Sequence, residues 1–191
     1  MERDIARIAL FTAMIAALGL VPQITLGFGV PITAQSMGVM LAGAVLGARK
    51  GAAAAALLLL LVAMGLPLLS GGRGGMGVFV SPTAGFALGF PAAAYVTGLF
   101  VERVPLRPAG LAAGLGAGLG GIGALYLLGT AGFALVTGRG LGESFLLMAV
   151  FIPGDLLKAA LTGMLVQALA RLRPQMLGWY RPAPAHSDLR Y

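Results

Sequence analysis

Phe151-Ile152-Pro153-Gly154-Asp155-Leu156-Leu157-Lys158-Ala159-Ala160 is an apolar run broken by two charges, and its reading decides what kind of molecule this is. Moving a charge into hydrocarbon costs at least ~2.5–3.5 kcal/mol, so an ion pair inside a membrane span marks a substrate or ion pathway by default. Asp155 and Lys158 are spaced i, i+3 and share one helix face. Pro153 suits the first helical turn, where its missing N–H would be unsatisfied anyway, so the regular helix begins there and carries both charges in its first two turns toward an outward cavity. Asp supplies acceptors only and Lys three donors with a positive charge. Together they match a ligand bearing N–H donors and an anionic or carbonyl oxygen. The alternative is a purely structural pair, disfavoured because apolar residues would stabilise as well without the desolvation cost.

The composition supports the membrane setting. Of 191 residues 59% are hydrophobic and only 10% charged, against roughly 25% charged in soluble domains. Cysteine is absent, which excludes disulfides, thiolate metal sites and a cysteine nucleophile. There is no G-x4-G-K-[ST] phosphate loop, no His/Cys/carboxylate cluster for a metal and no Ser-His pair for a protease. The chain is therefore not expected to be an enzyme or to hold a cofactor, and an energised activity needs partner chains or an ion gradient. The one histidine, His186, lies in the polar tail. The net charge of +7 sits at the ends of apolar segments instead of forming one stripe, so nucleic acid is not expected as a partner.

A span needs about 20 apolar residues, and six stretches qualify: 8–21, 32–48, 51–69, 83–101, 111–136 and 152–170. The first is short and ends at Pro22, and the fifth is long and Gly-rich, so it is expected to tilt or bend. Arg3 and Arg7 lead straight into the first stretch with no small-residue cleavage site, so it reads as a span and not a removed signal. Arg3, Arg7, Arg49, Lys50, Arg103, Arg107, Arg171, Arg173, Arg181 and Arg190 fall on one side, with Arg73 and Arg139 on the other. The positive-inside rule then puts both termini in the cytoplasm, as an even number of spans requires. The expected fold is an all-α integral membrane protein: one domain over 1–191, a compact bundle of six transmembrane helices in the cytoplasmic membrane, with a cytoplasmic tail over 171–191.

Small residues recur at i, i+4 in Gly43/Gly47/Gly51, Gly85/Gly89, Gly114/Gly118 and Gly116/Gly120, a spacing that lets helices pack closely. Ala9, Ala13 and Ala17 give the first span a smooth face, suited to its own bundle or to a partner helix. The outward segments 22–31 and 70–82 are too apolar for solvated linkers, and their glycines allow close backbone approach to a ligand or a lid over a cavity. Gln35, near the outer end of the second span, is a further polar candidate whose alternative is an interhelical hydrogen bond. Arg73 can reach a carboxylate bidentately or stand as a solvated loop charge. Phe28, Phe79 and Phe86 are candidates to wall an apolar pocket.

Three stretches stand out together: Pro31-Ile32-Thr33-Ala34-Gln35 with Leu41 to Gly51; Gly71-Gly72-Arg73-Gly74-Gly75 with Ser81-Pro82-Thr83-Ala84-Gly85-Phe86-Ala87-Leu88-Gly89-Phe90; and Pro153-Gly154-Asp155-Leu156-Leu157-Lys158. In this order they resemble the BioY family, the biotin-specific substrate-binding (S) components of energy-coupling factor (ECF) transporters. The resemblance implies a six-helix membrane protein that captures biotin from outside. It also implies coupling to a transmembrane T component, docked on the helix face of Ala9 and Ala13, and to two cytosolic ATPases. The candidate substrate contacts are Asp155, Lys158, Gln35, Arg73, Phe79, Thr83, Phe86 and Phe28. Ser81-Pro82-Thr83-Ala84-Gly85-Phe86 departs from the family's usual Gly-Pro-Thr-Gly-Gly-Tyr by losing a phenol at Phe86. Two rivals stay open at this point: an ion-coupled secondary carrier in which Asp155 titrates, and a non-transporting bundle that binds a partner helix.

Overall fold

The computed structural model describes residues 2–25, 27, 30–104 and 106–180; Phe28, Arg181, His186 and Arg190 lie outside them. Eight α-helices account for most of the described chain: α1 (Glu2–Gly19), α2 (Gln35–Leu46), α3 (Ala48–Ala63), α4 (Ala84–Arg103), α5 (Ala109–Gly118), α6 (Leu125–Thr137), α7 (Leu141–Ala149) and α8 (Ile152–Leu172). A helix lies on each of the six stretches read as spans, but the ends move. Acidic Glu2 and Asp4 favour the positive end of a helix dipole, and α1 starts at Glu2 instead of residue 8. The second helix starts at Gln35, because Pro31 and Ile32 form strand β2 and pair antiparallel with β1 (Ile24–Thr25). The third ends at Ala63, short of residue 69; Leu69 instead exchanges backbone hydrogen bonds with Arg73. Leu141–Ala149 forms a helix outside the expected spans.

By length and composition, α4 and the continuous run Ala109–Thr137 are each able to cross a membrane, and α7 with α8, bent by 58° at their junction, makes a third candidate among the described residues. The bundle's exterior is apolar: Leu135 is 84%, Leu127 73% and Leu157 62% exposed. Contiguous exposed apolar surface of this kind is expected against lipid and not against water. Small residues line the interior, with Ala42, Ala54, Ala93, Ala112 and Ala117 fully buried, so helix backbones approach closely.

Two local devices set the helix directions. Gly47 alone joins α2 to α3, at φ +84°, in the left-handed region that costs a side-chain-bearing residue. A Cβ there would also strike the Glu102 carboxylate, whose Oε1 accepts the Ala48 N–H at 3.0 Å and so caps α3. Between α5 and α6 the helix widens into one π-helical segment, Leu119–Ala124. Buried pairs fall at 112/113, 116/117 and 120/121, then at 125/126, 129/130 and 133/134, one step of five among steps of four. The extra residue changes which side chains face the core, and the Gly-rich stretch widens there within one continuous helix over Ala109–Thr137. Gly120 and Gly121 sit where a Cβ would collide with α4 and with Met40 of α2.

Candidate functional site

A recess with about 660 Å³ of empty space, mouth included, opens among α2, α4, α6, α8 and the 69–83 segment. Its walls are apolar, with Phe86, Phe90, Leu125 and Phe151, and two polar groups converge on it.

The first group is built on the start of α8. Phe151 and Pro153 bring the chain out of α7 into a new helix axis, and Asp155, 6% exposed, falls in the first turn, where the helix dipole favours a carboxylate. Its Oδ1 accepts from Lys158 Nζ at 2.7 Å, and its Oδ2 accepts from the Tyr126 O–H at 2.5 Å. Lys158 Nζ also donates to Ser36 Oγ of α2 at 3.1 Å. Two of the three ammonium protons are thus committed and one is left for a ligand. The carboxylate retains acceptor capacity on both oxygens.

The second group is built on the glycine-rich loop. Gly71 and Gly72 take φ values of +78° and +69°, and the chain doubles back so that Arg73 bonds Leu69. Arg73 Nε donates to the Ser70 carbonyl at 3.1 Å and Nη1 to Thr83 Oγ1 at 2.7 Å. Among the described residues its partners are a carbonyl and a hydroxyl, not a carboxylate, and none of them engages Nη2. Burial holds the guanidinium below its ordinary pKa. Ser70, 1% exposed and lining the recess, has no described partner for its Oγ.

The remaining candidates fall in different places. Thr83 lines the recess beside Arg73, and Phe86 lines it with its ring edge-on to Tyr126, centroids 6.1 Å apart. Gln35 also lines it, but its amide is already spent: Nε2 donates to the Ile15 and Leu68 carbonyls at 3.2 and 2.8 Å, and Oε1 accepts the Ser70 N–H at 3.2 Å. It ties α2 to α1 and to the loop. Phe79, on a 3-10 turn over Met76–Val80, packs on the core beside the recess and is not in its lining. Phe28 is outside the described residues. Ala9 and Ala13 lie on the exposed face of α1. Tyr126, Ser36 and Ser70 were not singled out from sequence. Tyr126 is the one tyrosine of stretch 111–136, and Ser36 sits beside Gln35, so a search for lone polar groups in apolar spans would have found both. No group of acidic or histidine side chains among the described residues could hold a metal. The arrangement suits an uncharged N–H-bearing group with its oxygen at Asp155 and Lys158, and an anion at Arg73.

The BioY family model matches residues 2–175. The biotin transporter BioY of Rhodobacter capsulatus is 55% identical over 93% of this chain and 98% of its own length. That of Rhizobium etli is 52% identical over 87% and 92%. Among solved structures, the S-component for biotin from an ECF-type ABC transporter superposes with a TM-score of 0.83 at 31% identity, covering 88% of this chain and 91% of that one.

Proposed function

The chain belongs to the BioY family, and from that premise we propose that it captures biotin and serves its uptake as the substrate-binding subunit of an ECF-type transporter. The observation that carries the reading is the Ser36–Lys158–Asp155–Tyr126 network inside an apolar recess. Biotin combines a ureido group, with two N–H donors and one carbonyl, an apolar bicycle and chain, and a terminal carboxylate. Asp155 accepts from the ureido N–H groups, and the free proton of Lys158 goes to the ureido oxygen. Phe86, Phe90 and Leu125 cover the apolar part. The carboxylate meets Arg73 Nη2 and the Ser70 hydroxyl, the pole with unspent donors. This orientation is favoured over one with the carboxylate at Lys158, because Asp155 already engages that ammonium and would repel a second carboxylate.

The same reading makes the protein a single multi-pass domain of the cytoplasmic membrane, with six spans and both termini inside. The α7–α8 pair then forms one bent span, and the clustering of Asp4, Arg49, Lys50, Arg103 and Trp179 at one end of the bundle supports the orientation. A transmembrane T component docks on the Ala9/Ala13 face, and two cytosolic ATPases supply the hydrolysis. The ion-coupled carrier weighed from sequence is not favoured by the relatives, which are named as biotin transporters.

Equilibrium binding of radiolabelled biotin to the purified, detergent-solubilised chain tests the capture function. Tight binding, lost in Asp155→Asn and in Lys158→Ala, is the expected result; a folded wild-type chain that binds no biotin overturns it.

A further inference from the structure

Toward the other end of α4, whose Phe86 and Phe90 line the recess, a second cleft lies where α3 starts, α4 ends and the chain beyond α8 folds back. Arg49, Lys50, Tyr95, Leu99, Arg103 and Trp179 line it, around some 1130 Å³ of open space. Its walls are fixed by bonds that leave two cations over. Lys50 pairs with Asp4 at 2.6 Å, the Glu102 carboxylate accepts from the Ala48 amide at 3.0 Å, and Trp179 Nε1 donates to the Ala44 carbonyl at 2.8 Å. Arg49 and Arg103 are exposed, and no described residue hydrogen-bonds or pairs with either side chain.

We propose that this cleft binds the headgroup of an anionic phospholipid, with the phosphodiester held between Arg49 and Arg103. The guanidinium fork matches phosphate oxygens bidentately. Tyr95 and Trp179 bring amphipathic rings of the kind that sit at headgroup depth, and Leu99 continues the cleft onto the apolar flank of α4, where acyl chains run. The lining sets Arg49, Lys50 and Arg103 against one carboxylate, Glu102, and this positive balance favours a net negative headgroup over a zwitterionic one.

The test is native mass spectrometry of the detergent-purified full chain with phosphatidylglycerol or phosphatidylcholine, with inorganic phosphate as competitor. At about 1 kcal/mol per basic residue near an anionic headgroup, phosphatidylglycerol is retained at least ~5-fold over phosphatidylcholine. The preference disappears in the Arg49→Gln/Arg103→Gln double variant and persists in Arg139→Gln, which alters a remote exposed ion pair. Biotin binding, unchanged in both, shows that the variants are folded. If the double variant loses biotin binding, the two single variants decide, each expected to lower the lipid ratio. Equal retention of the two lipids, a preference that survives loss of both arginines, or displacement of the lipid by millimolar inorganic phosphate overturns the proposal; the last result would mean a free-anion site.

Discussion

Tyr126 and Asp155 are 29 positions apart in the chain, and the phenol donates to the carboxylate at 2.5 Å inside the recess. This contact joins α6 to α8, and with Ser36 and Lys158 it ties three helices into one hydrogen-bonded chain. Both side chains are buried, so the phenol takes the carboxylate as its partner while Lys158 holds the other carboxylate oxygen.

Tyr126→Phe keeps the ring against Phe86 and removes only the donor. A hydrogen bond to a charged group is worth about 1.5–3 kcal/mol, so biotin binding weakens on the order of 10- to 100-fold, with a lower thermal midpoint. Unchanged affinity by equilibrium binding would show that Asp155 needs no orientation by the phenol.

Arg73→Gln separates the two poles. The variant binds biotin more weakly by roughly tenfold or more but binds biotin methyl ester as the wild type does, since the ester presents no carboxylate. An equal loss for both ligands would place the carboxylate elsewhere.

Gln35→Ala breaks three hydrogen bonds at once, to Ile15, Leu68 and Ser70. At about 1 kcal/mol per bond, the variant is destabilised by roughly 2–3 kcal/mol and its loop 69–73 exchanges amide hydrogen faster. Protection identical to wild type would remove Gln35 from the role of anchor.

Gly47→Ala adds a Cβ at φ +84° against Glu102. Strain of this kind costs about 1–3 kcal/mol, read as a lower thermal midpoint in detergent. A variant as stable as wild type would mean that the α2–α3 joint relaxes freely.

Asp4 has its pKa lowered from 3.8, first by the hydrogen bond from Lys50. A depressed carboxylate contributes stability that is present above its unfolded value and is lost as pH falls through the folded one. The wild type therefore loses an increment below about pH 4 that Asp4→Asn lacks, and parallel acid melting curves for the two proteins would contradict this.

The charged pair was legible in sequence because a buried ion is expensive, and an expensive residue stands out in an apolar run. Tyr126 is visible in sequence only as a lone polar group; that it faces the core depends on the π-helical segment, which changes the burial register by one residue without any charge or proline to announce it. Arg73 was visible as a lone cation, but its tether to Thr83 arises from the loop's return on itself through Gly71 and Gly72. The helix ends were misjudged where apolar residues are used outside helices: Ile32 in a strand and Leu69 in a bridge. Gln35 was weighed as ligand contact or interhelical bond, and its amide makes the second kind of contact while its side chain borders the recess.

The single-residue joint at Gly47 has a kinematic consequence. With no slack between them, and with Glu102 pinning the start of α3, helices α2 and α3 turn as one body together with α4. Any movement that admits or releases a substrate then carries these three helices together, as a fixed frame against which the rest of the bundle is displaced.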